Sequence, residues 1–276
     1  MIFSHFKRRR GIRFDDGFRH SARDGAAPDP LVATYDAILA TDPAVPVMFQ
    51  LTEYRGQQVL WQDPACSIPV EDIGDPIGGV RHPETGEILA VQETDADRPV
   101  WGGREVGAEF GDADELVNSD PVTAQPTGSF SVIQQMAADS GASGSIRIMQ
   151  IKKRGSSDSR YYTALEDGGR FRAVITDESG PPSFLIRDAG DYYDDTEHVF
   201  GQGYQLDGSG GATQECWVDG AVTASDSILE IGDIDADGEL SICGPSAASS
   251  GFVGTCKAYL FYDRYADIAQ ISETLL

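Results

Sequence analysis

Two acidic clusters hold most of the residues whose type and spacing could do chemistry. Asp188, Asp191, Asp194 and Asp195 surround Tyr192 and Tyr193. Carboxylates accept hydrogen bonds from sugar hydroxyls, and a tyrosine presents an apolar face with a polar tip, which is how a loop grips a sugar ring. Asp191, Tyr192, Tyr193, Asp194 and Asp195 are therefore the candidate ligand-binding residues, and a solvated acidic loop is the plainer reading of the same segment. The second cluster, Asp233-Ile-Asp235-Ala-Asp237-Gly238, spells the first half of a calcium loop, but the twelfth position, where a bidentate Glu belongs, is Gly244. Strand-like flanks at 228–231 and 240–242 make it an ordinary hairpin tip, and no metal site is assigned.

Glycoside hydrolysis needs two carboxylates facing each other across the scissile bond, which on a strand means a spacing of two or four. The nearest spelling, Glu93-Thr-Asp95-Ala-Asp97, precedes Arg98-Pro99 in a connecting segment. Neither a Gly-x-Ser-x-Gly elbow, a phosphate-cradling glycine loop nor a His-Glu-x-x-His pair occurs, and His5, His20, His82 and His198 are scattered. No catalytic residue and no cofactor are assigned, and the chain is read as a non-enzyme. Cys66, Cys216, Cys243 and Cys256 lack zinc spacing and are expected to be buried thiols; if any two pair, Cys243 and Cys256 are the expected ones.

Charge is unevenly spread over the 276 residues. The whole chain carries a formal −24, yet residues 1–25 hold seven basic side chains against three acidic ones, so the remainder stands at −28. A body so acidic repels nucleic acid, and none is expected as a partner. The arm interleaves Phe3 and Phe6 with Lys7, Arg8, Arg9 and Arg10. Aromatic anchors beside cations suit docking onto a partner protein, with a solvated tail and nucleic-acid contact as the alternatives. Its charge stands where an export signal would carry an apolar stretch, so secretion by that route is not expected. Nor does any apolar run approach the ~20 residues of a membrane-spanning helix.

What must position these residues is almost entirely strand. Asp29-Pro30 supplies a cap and a first-turn proline for a short amphipathic helix, which Asp42-Pro43 stops near Thr41. Two short strands are expected across 45–60, then a turn-dense module reaching 101. From 102 onward strand signals recur about every ten residues, separated by Asp-Gly pairs at 167, 207, 219 and 237. Residues 257–262 are apolar on both faces, as a central strand requires, and a last helix over 266–275 is read from Ile268, Ile271 and Leu275. The division expected is an arm at 1–25, a connecting module at 26–101 and an antiparallel sandwich at 102–276, with Phe130, Ile146, Ile148, Trp217, Leu260 and Tyr262 inside.

Three segments carry a family likeness. Val59-Leu-Trp61-Gln-Asp63-Pro64, continuing through Pro69-Val70 to Gly74-Asp75-Pro76-Ile77-Gly78, resembles the opening of phage and prophage structural proteins that bear a concanavalin A/laminin-G-like jelly roll. Gln92 to Val100, with Arg98-Pro99, is similar to a second segment of that group. Gly251-Phe252-Val-Gly254 to Tyr262-Asp263-Arg264, followed by Ile268 and Ile271, resembles its last strand and helix. The likeness spans about 55–276. It departs at Phe110-Gly-Asp-Ala-Asp-Glu-Leu116, where the group's acidic run is degraded, and in the arm, which has no counterpart.

The resemblance implies an all-β jelly roll on a virion fibre, spike or decoration protein, made in the host cytoplasm and carried on the particle as a homo-oligomer. Its arm would hold other virion proteins, and the jelly roll would meet a host-surface glycan. A free-acting lectin or carbohydrate-active enzyme of concanavalin-like fold is the rival, because such folds host many activities.

Overall fold

A computed structural model describes residues 29–118, 126, 128–143, 146–153, 159–166, 168–176, 183–231, 238–244 and 251–276. The arm residues Phe3, Phe6, Lys7, Arg8, Arg9 and Arg10 lie outside them, as do Asp233, Asp235 and Asp237. In chain order come helix α1 (Pro30–Leu39), strands β1 (Val45–Met48), β2 (Glu53–Tyr54), β3 (Gln57–Gln58), β4 (Leu60–Trp61), β5 (Gly79–Arg81), β6 (Ile88–Val91), β7 (Val100–Gly103), β8 (Gly107–Phe110), β9 (Leu116–Asn118), β10 (Phe130–Ala138) and β11 (Ile146–Lys153). They continue with β12 (Ser159–Leu165), β13 (Phe171–Thr176), β14 (Ser183–Arg187), β15 (Glu197–Leu206), β16 (Gly211–Val218), β17 (Ala221–Leu229), β18 (Gly238–Ile242), β19 (Gly254–Tyr262) and helix α2 (Ile268–Leu275).

Asp29 caps α1 by accepting from the Leu31 amide at 3.0 Å, with Pro30 in the first turn, and the chain turns out of the helix at Asp42 with φ of 54°. Beyond it the strands pair antiparallel into two large sheets and one small hairpin. The first sheet runs β17-β16-β15-β10-β19-β8-β7 and the second β14-β13-β12-β11-β18-β9-β6-β5-β4. The apolar strand read at 257–262 is the centre of the first sheet. One edge of β19 pairs with β10; the other is shared, β8 taking Gly254 to Cys256 and β1 taking Ala258 to Phe261. The sandwich thus draws on strands before residue 102: β1 and β7 enter the first sheet, and β4 to β6 the second.

Alternation along the strands sets the core between the sheets. From β10 and β15, Phe130 and Phe200 meet Tyr161 and Phe171 of the second sheet, with centroids 4.9 Å apart in both pairs. Such ring pairs add about 0.5–1.5 kcal/mol beyond the area they bury. One polar bridge crosses the same gap, the Thr163 hydroxyl donating to the Gln134 carbonyl at 3.2 Å.

Of the six expected core residues, Phe130, Ile146, Ile148, Leu260 and Tyr262 are buried. Trp217 is the exception: it is half-buried. In β16 the inward positions are Cys216 and Val218, so Trp217 falls on the outer face, where its indole N–H donates to Glu215 at 3.0 Å. It lies there beside Gly201, whose missing side chain makes room; a Cβ at 201 would stand 2.7 Å from Ile268 and 3.0 Å from Trp217. Helix α2, capped by Asp267, lays Ile268, Ile271 and Leu275 over this face, and α1 packs beside it. All four cysteines are buried free thiols.

Candidate functional site

The segment 188–196 crosses from β14 in the second sheet to β15 in the first, at one end of the sandwich. It leans on the β12–β13 hairpin. The Asp188 amide donates to the Phe171 carbonyl at 3.0 Å, the Tyr192 amide to Gly169 at 3.0 Å, and the Tyr193 hydroxyl to Leu165 at 3.2 Å. Gly169 is indispensable to this seating. Its φ is 72°, and a Cβ there would lie 2.1 Å from an Asp191 carboxylate oxygen.

Within the loop the candidate residues divide by role. Tyr192 and Tyr193 are half-buried rather than presented as open faces. The Tyr192 ring packs edge-on against His198 and Phe200, at 4.9 and 5.2 Å, and its hydroxyl donates to the buried Asp188. Burial, reinforced by the Asp188 charge, pushes the Tyr192 phenol well above its ordinary value, so it stays a hydroxyl donor.

Asp195 sits at φ 60° and accepts from both the amide and the hydroxyl of Ser140, at 2.8 and 2.6 Å. Those bonds hold its pKa below the usual carboxylate value. Asp194 accepts from the Thr196 amide at 2.9 Å and stands 3.4 Å from His198, whose other ring nitrogen is 2.8 Å from Asp219. Burial works against the Asp194 charge, but Thr196 and His198 bring its pKa down. Asp191 is exposed, engaged by the Tyr193 amide at 3.3 Å.

A shallow cavity of about 230 Å³ adjoins the loop, lined by Ala137, Ala138, Asp139, Asp195, Gly254 and Thr255. Its polar wall consists of carboxylates and a threonine, a lining that accepts hydroxyl donors. The structure thus brings Asp195 to a concavity, turns the two tyrosines inward as supports, and leaves Asp191 at the surface.

The other motif residues shape loops. Asp63 accepts from the Ser67 and Ile68 amides, both at 2.8 Å, and Asp75 from the Glu71 and Asp72 amides, both at 3.0 Å. Arg98 donates to the Gln92 and Gln62 carbonyls and pairs with Asp95 at 2.7 Å. Asp95 and Asp97 lie on a short 3-10 turn. Among the described residues no group of three or more His, Cys, Asp or Glu could hold a metal ion.

Beside the loop, on the outer face of the second sheet, stand Arg147, Tyr162, Arg172 and Arg187, with Glu166 at the hairpin. The sequence reading passed over them. A signal existed: residues 26–276 contain only 14 basic side chains, and three arginines fill polar positions between inward apolar ones at 146–148, 171–173 and 186–187.

No protein-family model matches the chain, and no curated protein matches it. Among solved structures, the receptor-binding domain of botulinum neurotoxin D is similar with a TM-score of 0.50 and 9% identity, covering 85% of this chain and 53% of that one. The chain spans about half the length of that domain. The Ruminococcus gnavus IT-sialidase CBM40 aligns at TM-score 0.49 and 12% identity, over 61% of this chain and 96% of its own. A SAP-like pentraxin from Limulus polyphemus aligns at 0.41 and 11%, over 57% and 73%. At 9% identity the likeness to the neurotoxin domain speaks for fold alone: with its two antiparallel sheets the chain is a jelly-roll sandwich.

Proposed function

We propose that this protein is a non-enzymatic phage virion component, a fibre, spike or decoration protein, whose jelly roll recognises a host-surface glycan through the 188–196 end of the sandwich. The observation that carries the reading is the cavity lined by Asp139, Asp195 and Thr255 beside a loop seated by Tyr192, Tyr193 and Gly169, on which Asp191 is exposed. Rigid acceptors cost little ordering entropy when a sugar binds. The phage setting rests on the three resembling segments and the basic, aromatic arm.

In this reading the arm docks Phe3 and Phe6 into another virion protein while Lys7, Arg8, Arg9 and Arg10 meet acidic groups at the rim. Self-association fits the free edge of the first sheet. Among the described residues β17 pairs only with β16, it carries Asp226 as its one charge, and Val222 and Leu229 are exposed. An edge without lysine or proline can accept the same edge of a second copy.

The test is deletion of residues 1–25. The truncated chain is expected to fold, to keep binding cells of the host and to drop out of particles. Packaging at normal copy number would refute the tether, and loss of cell binding would move recognition from the jelly roll to the arm.

A further inference from the structure

Alternation on four neighbouring strands turns Ile146, Ile148, Leu165, Phe171, Ala173 and Ile186 into the core. The positions between them carry Arg147, Ala164, Arg172 and Arg187 on the opposite face. The registers Arg147 to Ala164, Ala164 to Arg172 and Arg172 to Arg187 place these four on one line across the strands. Three strand spacings make that line roughly 14 Å long.

Arg172 and Arg187 stand directly opposite each other, an arrangement that costs stability unless it is compensated. Glu166, 8% exposed, supplies one carboxylate for the two. Its Oε1 accepts from Arg172 Nη1, and its Oε2 from Arg187 Nε at 2.7 Å. The Arg147 guanidinium lies over the Tyr162 ring, 3.2 Å from the centroid, with Arg172 5.1 Å from the same ring. Burial and the nearby charge of Arg172 hold Arg147 below its ordinary pKa, despite the opposing effect of Tyr162. The Arg172 side chain is 14% exposed and its Nε–H is buried without a partner, whereas Arg187 is 45% exposed. Two cations are therefore locked side by side around one anion, and the open one faces solvent.

We infer that this arginine row binds an acidic polysaccharide, Arg172 and Arg187 taking the carboxylate of an acidic sugar. A guanidinium fork matches a planar carboxylate with two parallel hydrogen bonds. Arg147, 8% exposed, stacks behind the pair, so the anion meets Arg187 first, and that residue adjoins the 188–196 loop because it precedes Asp188. The inference rests on the glycan reading of that loop only for the course of the sugar chain; the contact to the anion belongs to the row. Duplex nucleic acid, charged on both strands, meets more repulsion from a body of net −28 than a polysaccharide with one carboxylate per sugar, and a single strand is left to the test.

Titration calorimetry of the full chain decides it, with an oligogalacturonate, its neutral methyl ester and a single-stranded oligodeoxynucleotide as probes. The acid should bind at least tenfold more tightly than the ester. Arg187→Ala should weaken the acid about tenfold, the loss of one charge-assisted pair, and Arg187→Lys, which keeps the charge but not the fork, should fall between. Should Arg187→Ala fold poorly, Arg187→Lys alone decides, since it retains the stem and the charge. Equal affinity for acid and ester, unweakened binding by the variants, or tighter binding of the oligonucleotide would overturn the proposal. Unchanged binding of both ester and acid in Asp191→Ala would overturn the loop reading and leave the arginine row standing.

Discussion

The two outer faces of the sandwich solve the same problem in opposite ways. On the first sheet, outward polar groups of the central strands bond helix α2 and its flank. The Ser131 hydroxyl accepts from the Ala266 amide at 3.0 Å, and the Gln135 side chain donates to the Leu275 carbonyl at 2.7 Å. Glu215 accepts from Trp217 and from the Tyr265 hydroxyl. On the second sheet, outward Arg147, Tyr162, Arg172 and Arg187 bind one another and Glu166 beside the buried Ala164 and Val174. One face is closed by its own chain. The other carries an arginine cluster from which Arg187 reaches solvent, and the difference marks where a ligand can be met.

The largest effect should come from the closed face. Ile268 is 1% exposed, wedged over Gly201 and Gly203. Truncation to Ala removes buried methyl groups and leaves a cavity, so Ile268→Ala should cost about 2–5 kcal/mol in denaturant unfolding. Arg187→Ala, on the open face, should stay within about 0.5–1 kcal/mol. Comparable losses at the two sites would erase the distinction.

Gly169→Ala comes next. A side chain at φ 72° that also collides with Asp191 should cost about 1–3 kcal/mol and unseat the 188–196 loop. Faster amide exchange confined to 188–196 and the β12–β13 hairpin would confirm the dependence. Exchange unchanged there would mean that the loop is held from elsewhere.

The smallest effect is a pH step. The folded pKa of Asp195 lies below the ordinary aspartate value of 3.8 because Ser140 donates twice to it. Its contribution is thus complete above 3.8 and is lost as pH falls through the lowered folded value. Asp195→Asn should remove that acid step from a tyrosine-fluorescence titration of the loop, whereas an unchanged profile would assign the step to another group.

Much of this contrast is readable in the residues themselves. The β19 strand announces its central place by being apolar on both faces, Asp29-Pro30 and Asp42-Pro43 bracket α1, and Ile268, Ile271 and Leu275 give the helix its buried stripe. Period-two alternation places Phe130, Ile146 and Ile148 correctly. Trp217 escapes because size argues for the core while the register of β16 sends it outward, and register is a pairing property that no single strand encodes. The arginine row escapes for the same reason: Arg147, Arg172 and Arg187 are 25 and 15 residues apart in sequence, and only the pairings of β11 to β14 align them. The candidate loop is legible as acidic and aromatic, but not that Tyr192 and Tyr193 turn inward, which follows from the hairpin carbonyls that receive them.

Hydrogen exchange of the full chain, followed while an oligogalacturonate is titrated in, tests the central claim most directly. The account predicts added protection in β12 to β14 and in 188–196, with β10, β15 and α2 unchanged. Protection appearing on the helix-covered face, or nowhere in the second sheet, would contradict it.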